Sequence, residues 1–214
     1  MILDTFKISD GKIFLKDLHI ERSLEACHYL NKHINSSQLM DIYEEIENRY
    51  QNSVISLVLN PERLHEWQVS EKNLERLVEP ITLFPFTASH LVEASAFKWS
   101  NRRSWNELLK KIPPTTQDIL LINSQGEVRE TSRFNIFVYD SRQNCYLTPS
   151  LQSGCVNGVF RRWLIQQGLE KGPVISSVVH MSSLQDDSHF ELFVGNSVRG
   201  LLKARLSSTN QTPV

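Results

Sequence analysis

The sequence predicts an α+β fold in two lobes, a smaller α/β lobe over residues 1–96 and a strand-rich lobe over residues 97–214. Three observations lead there. TFKISDGKIFL alternates apolar and polar residues on both sides of Asp10-Gly11, a β-hairpin pattern, and helix-period segments follow it directly. From residue 118 onward strand-like runs dominate, with one short helix among them. Pro113-Pro114 stops a helix between the two regions and leaves a seam.

The elements follow in order. After the hairpin, ERSLEACHYLNKHI places Leu24, Cys27, Leu30 and Ile34 at helical spacing. SQLMDIYEEIENRY is a second helix, and SVISLVLN is a short buried strand ended by Pro61. Arg63 to Pro85 mixes both periods and reads as strands with a loop; Phe86 to Ala96 reads as an irregular connection. NRRSWNELLKKI is a helix. DILLINSQGEVRETSRFNIFVYD gives two strands around the Gln125-Gly126 turn, and CYLTP a third. VNGVFRRWLIQQG is a short helix with Asn157 as N-cap and Gly168 past its end, and HFELFVGNSVRG is a strand entering a polar loop.

Composition excludes several classes. With Lys+Arg 23 against Asp+Glu 24, the chain has no electrostatic footprint for nucleic acid. No apolar run reaches membrane-spanning length, and MILDTFKISD lacks the basic start and apolar core of a signal peptide. Three cysteines without a CxxC predict a reduced, cytoplasmic setting. The seven histidines form no metal-ligand spacing, and the eight glycines form neither a dinucleotide fingerprint nor a P-loop.

Four stretches carry candidate chemistry. In FKWSNRR, Lys98 stands between Phe97 and Trp99 with Arg102 and Arg103 near in sequence, a setting that lowers an amine's pKa and makes it a carbonyl nucleophile. CVNGVFRR opens a helix whose first amides, those of Val159 and Phe160, can receive an anion, and Gly158 lets the backbone come close. Arg22, read at the start of a helix, is a candidate phosphate clamp. Glu130 sits at the mouth of an apolar strand in VRETSRFNIFVYD, where a cation could meet it. Each has a plainer reading as a surface lysine, an ordinary helix end, a solvated arginine or a turn carboxylate. Together, an amine, a phosphate cradle, an arginine and a carboxylate are the parts that pyridoxal 5'-phosphate requires.

These residues resemble the class IV, or fold type IV, pyridoxal-phosphate enzymes, which include branched-chain and D-amino-acid aminotransferases and 4-amino-4-deoxychorismate lyase. Glu130, Ser132, Asn135, Ile136 and Phe137 fit the family's E-x-S-x-x-N opening, Thr148 follows, and V-N-G-V-F-R from Val156 to Arg161 closes the signature. Tyr146 departs from the usual aliphatic residue. KWSNR matches K-x-x-N-R, HIERS matches H-x-x-R, and GNSVRGLL is similar to a loop of the lyase branch.

The resemblance implies roles. Lys98 would bond the cofactor aldehyde and move the substrate proton; Glu130 would pair with the ring nitrogen. Arg22, the amides of Val159 and Phe160, and the Ser197 loop would hold the phosphate, Val156 would pack on the ring, and Arg102 would lie near the phenolic oxygen. Thr5, Asn196 and Arg199 would face a small-molecule amino substrate. Thr5 and the N-S-V-R-G loop favour the lyase, with a class IV aminotransferase and a scaffold without turnover as alternatives. The glycine-rich segment preceding this Thr in longer relatives is missing from the 214 residues, so the resemblance defines the cofactor better than the substrate. A homodimer is implied as well.

Overall fold

A computed structural model describes residues 1–87, 95–185 and 188–208. The chain forms two units, Met1–Arg76 with Phe97–Asn101, and Leu77–Ala96 with Arg102–Val214. No helix among the described residues is long and apolar enough to cross a membrane.

Unit 1 contains β1 (Ile2–Ser9), β2 (Lys12–Ile13), α1 (Lys16–Tyr29), α2 (Ser36–Arg49), β3 (Ser53–Leu59) and β4 (Gln68–Glu71). Its antiparallel sheet runs β2-β1-β3-β4. Asp10 (φ 50) and Gly11 (φ 71) make the expected hairpin turn, a conformation open to these residue types. Along β1 the pleat buries Ile2, Asp4, Phe6 and Ile8 in alternation, and the helices cover that face with Cys27, Leu39, Tyr43 and Ile46.

The first helix begins five residues earlier than expected, at Lys16 instead of Glu21, and ends at Tyr29. Leu15 enters it in the left-handed region (φ 58), and Asn31 leaves it likewise (φ 56). The buried stripe of α1 includes His19, Arg22 and Ser23 beside Ile20, Ala26 and Cys27. A period count over apolar residues therefore starts the helix too late. Arg22 lies within α1, not at the helix start where the sequence reading places it. The second helix is where the sequence put it, with the Asn35 side chain accepting from Ser37 N at 3.0 Å.

Unit 2 contains β5 (Ile81–Thr87), α3 (Arg103–Leu109), β6 (Asp118–Ile122), β7 (Val128–Thr131), β8 (Asn135–Asp140), β9 (Cys145–Pro149), α4 (Val159–Gln167), β10 (Val174–Ser177), β11 (Phe190–Asn196) and β12 (Gly200–Leu206). They form one eight-stranded sheet, β10-β9-β8-β11-β12-β5-β6-β7. The β9–β10, β12–β5 and β5–β6 pairs are parallel. Strand β6 (DILLI) is buried throughout, which explains its unbroken apolar run. The connection expected over Phe86 to Ala96 is strand through Thr87, and residues 88–94 lie outside the described set.

Two local readings change. The single strand expected after Gln125-Gly126 splits into β7 and β8. Buried Asp118 accepts from Thr131 Oγ1 at 3.0 Å and Ser132 N at 3.1 Å, and Thr131 Oγ1 in turn accepts from Phe134 N at 2.9 Å. The turn is thus pinned by a carboxylate 13 residues upstream of Thr131. Helix α4 has Gly158 at its N-cap with no side-chain cap. The Asn157 side chain, expected to cap it, accepts from Arg161 Nη1 at 3.2 Å instead.

Candidate active site

In unit 1 the Phe97–Asn101 segment runs alongside the start of β1. Leu3 N donates to the Lys98 carbonyl at 2.9 Å, Ser100 N donates to the Met1 carbonyl at 3.1 Å, and Ile2 bridges Trp99. Phe97 and Trp99 pack against the core, with the Tyr29 ring 5.0 Å and 6.3 Å from theirs. Backbone pairing and two aromatic anchors therefore fix the residue between them. Lys98 Nζ donates to Thr5 Oγ1 at 3.0 Å.

Thr5 faces away from the core; its neighbour Asp4 faces in and is fully buried. The Asp4 carboxylate accepts from His19 Nδ1 (2.8 and 3.0 Å), Tyr43 OH (2.6 Å), Thr5 N (2.7 Å) and Arg22 Nη2. Burial opposes the charge, yet His19, Arg22 and the Tyr43 hydroxyl together hold the carboxyl far below the ordinary range. Burial also pushes the His19 imidazole down and the Tyr43 phenol up. The ring is thus a neutral donor, and Arg22 balances Asp4.

In unit 2, Glu130 is buried on β7 and accepts from Val156 N at 3.1 Å. Arg102, stacked 5.3 Å over Trp105, donates to the Ser132 carbonyl. Burial pulls its pKa down, while Glu130 and Asp118 push it back up. Burial lowers Arg129 similarly against Glu130, and Arg129 donates to the Gly154 carbonyl from Nε (3.2 Å) and Nη2 (3.0 Å). The loop carrying Val156 is also held by Asn135 Nδ2, which donates to the Val156 carbonyl at 2.9 Å.

That loop enters α4 through Gly158, where a Cβ would stand 2.0 Å from Asn135 Oδ1. Substituting Gly158→Ala is therefore expected to displace Asn135 and lower stability by about 1–3 kcal/mol. Thermal unfolding checks this; an unchanged midpoint would show that Asn135 is not a fixed partner of the loop. The first turn of α4 meets the end of β11, where a Cβ on Gly195 would touch Phe160 at 2.9 Å. Beyond it, Asn196 Oδ1 accepts from Val198 N (3.0 Å) and Arg199 N (2.8 Å), which shapes the turn bearing Ser197 and Arg199.

Among the residues singled out from sequence, Thr5 and Lys98 meet in unit 1, where Arg22 also lies. Glu130, Arg102 and Val156 meet in unit 2, with Val159, Phe160, Asn196, Ser197 and Arg199 on the α4 start and the β11–β12 turn. Sequence reasoning missed Asp4, Tyr43 and Arg129. The available signal for Asp4 was a carboxylate at an inward position of the alternating strand ILDTFKIS. Burial pushes all three thiols up, Cys27 and Cys155 to about 11, which disfavours the thiolate at each.

The donor sets suit an aldehyde-bearing, phosphorylated pyridine. Unit 1 offers an amine oriented by a hydroxyl, and an arginine with no hydrogen-bond partner besides Asp4 among the described residues. Unit 2 offers a buried carboxylate for a ring cation and an uncapped helix N-terminus for phosphate. The Ser132 hydroxyl, two residues from Glu130, is buried without a partner among the described residues.

Comparison with known proteins agrees. The chain is 26% identical over 174 residues to a Schizosaccharomyces pombe protein provisionally named an aminodeoxychorismate lyase, covering 74% of this chain and 71% of that one. Its fold is that of a provisionally named Mesorhizobium loti amino-acid aminotransferase (TM-score 0.79, 22% identity, 96% and 99% of the two chains). It is also that of the 4-amino-4-deoxychorismate lyase from Pseudomonas aeruginosa (TM-score 0.76, 19% identity, 100% and 85%). These neighbours share the α+β fold type IV architecture. Residues 1–206 match the family model described as amino-transferase class IV, and the chain belongs to that family of pyridoxal-phosphate-dependent enzymes.

Proposed function

We propose that this chain is a pyridoxal-phosphate-dependent lyase that converts 4-amino-4-deoxychorismate to 4-aminobenzoate and pyruvate. The observation that carries the reading is the bond from Lys98 Nζ to Thr5 Oγ1 at 3.0 Å, which joins the reactive amine to the residue that marks the lyase branch by resemblance. When bound, the cofactor supplies a ring that accepts the electrons left behind as the proton departs from the amine-bearing carbon.

The chain's own residues do the rest. Lys98 would hold the cofactor through its aldehyde carbon, would be freed when the substrate amine takes that place, and would then receive the proton as a free amine, with Thr5 Oγ1 orienting it. Glu130, whose carboxylate is fixed by the Val156 N–H, would keep the ring nitrogen protonated, and Val156 would pack on the ring. Arg22, the Val159 and Phe160 amides and the Ser197 turn would serve the phosphate, and Arg102 would serve the phenolic oxygen. Asn196 and Arg199 face the substrate. The same reading carries a homodimer and a cytoplasmic location.

The deciding experiment adds aminodeoxychorismate, or D- and L-amino acids, to cofactor-loaded protein. Stoichiometric pyruvate and 4-aminobenzoate is the expected result. Keto acid release from an amino acid, with no 4-aminobenzoate, would move the protein to the aminotransferases. A protein that takes up no cofactor would remove both readings.

A further inference from the structure

We propose that Asp4 is a positioning residue for cofactor binding: it clamps Arg22 for the phosphate. The inference rests on the pyridoxal-phosphate reading above.

The geometry favours position over mere stability. Asp4 lies on the inward face of β1 between Ile2 and Phe6, where an apolar side chain would pack without desolvating a charge. The carboxylate instead receives hydrogen bonds from α1 (His19, Arg22), α2 (Tyr43) and its own strand (Thr5 N). A carboxylate has about four acceptor positions, so this one is saturated. It is a hub joining three elements.

Two consequences follow for the site. Arg22 commits Nη2 to Asp4, and none of its nitrogens is among the buried polar atoms that lack a partner. Its remaining N–H groups thus reach accessible space from a guanidinium already held in one orientation, which suits the bidentate grip a phosphate needs. With Asp4 balancing its charge, Arg22 contributes through placement more than through net charge. On the other face of the strand, the Thr5 N–H bond to Asp4 Oδ1 (2.7 Å) fixes the residue whose hydroxyl receives Lys98 Nζ (3.0 Å). The His19 Nε2 atom is buried without a partner among the described residues, so the bond that holds this imidazole is the one from Nδ1 to Asp4.

The test measures dissociation constants of pyridoxal phosphate and of pyridoxal, which shares every group except the phosphate, for wild type, Asp4→Asn and Tyr43→Phe. Asp4→Asn is expected to lower the preference for the phosphorylated form about tenfold or more, the scale of a lost charge-assisted hydrogen bond. Pyridoxal binding should hold. Tyr43→Phe removes another bond from the same cluster and is expected to lower stability while keeping the preference.

If wild type itself shows no preference for the phosphorylated form, the cofactor reading fails and this inference with it. If wild type shows the preference and Asp4→Asn keeps it, or loses both ligands equally, Asp4 is structural and the inference alone is overturned. Should Asp4→Asn fail to fold, the guanidinium resonances of cofactor-free wild type decide. Slow, restricted rotation of the Arg22 side chain supports the clamp, and rotation as rapid as that of an exposed arginine overturns it.

Discussion

Substituting Lys98→Ala is expected to lower turnover by at least about 10⁴-fold, the upper end of what a positioned proton-transfer group supplies. The fold should hardly notice. Residue 98 is tied to β1 through its carbonyl, and the flanking anchors are the Ser100–Met1 bond and the Phe97 and Trp99 rings. The side chain contributes a bond to the half-buried Thr5 hydroxyl, so stability should change by no more than about 0.5–1.5 kcal/mol, the scale of an ordinary hydrogen bond. Borohydride reduction followed by peptide mass analysis gives an independent check. Wild type should carry the cofactor's mass on the Lys98 peptide, and the variant should carry none. Turnover within about tenfold of wild type would remove Lys98 from the chemistry.

Glu130→Gln is expected to leave the cofactor bound and lower turnover about 10²–10³-fold, as for the loss of one preorganised electrostatic group. The amide oxygen can still accept from Val156 N, so that bond to the loop is kept while the charge is removed. Arg102 and Arg129 lose the carboxylate that offsets their burial, which should lower stability by about 1–3 kcal/mol. Glu130→Ala removes the acceptor as well and should cost more of both. Absorbance of the bound cofactor, kcat and the unfolding midpoint separate these effects. Near-normal kcat with a lowered midpoint would make Glu130 a purely structural counter-ion to the two arginines.

Much of this was legible because the signals are local. Alternation about Asp10-Gly11 marks the first hairpin, and SQLMDIYEEIENRY marks α2 to within one residue at each end. The mixed stretch from Arg63 does resolve into strands, β4 and β5. What escaped is non-local. Helix α1 hides its true start because His19 and Arg22 are polar residues on a buried face, satisfied by a carboxylate on another element. The break between β7 and β8 depends on Asp118, which no pattern within RETSRF reveals. Lys98 owes its placement to residues 1–5, more than ninety positions away. A motif identifies such a residue; only the assembled strand shows what holds it.

The route of the chain has a consequence for how the protein is made. The chain leaves unit 1 after Arg76, comes back for Phe97–Asn101, and departs again at Arg102. No single peptide bond can be cut to yield the two units intact. During synthesis, a nascent chain of 76 residues contains the residues of β1 to β4 but lacks the segment that pairs with Met1 and Leu3. Unit 1 must wait, with the edge of its first strand that faces away from β3 open at Met1 to Leu3, until residue 101 has left the ribosome. The segment that completes it is the one carrying Lys98, so closing the unit and installing its amine are a single event.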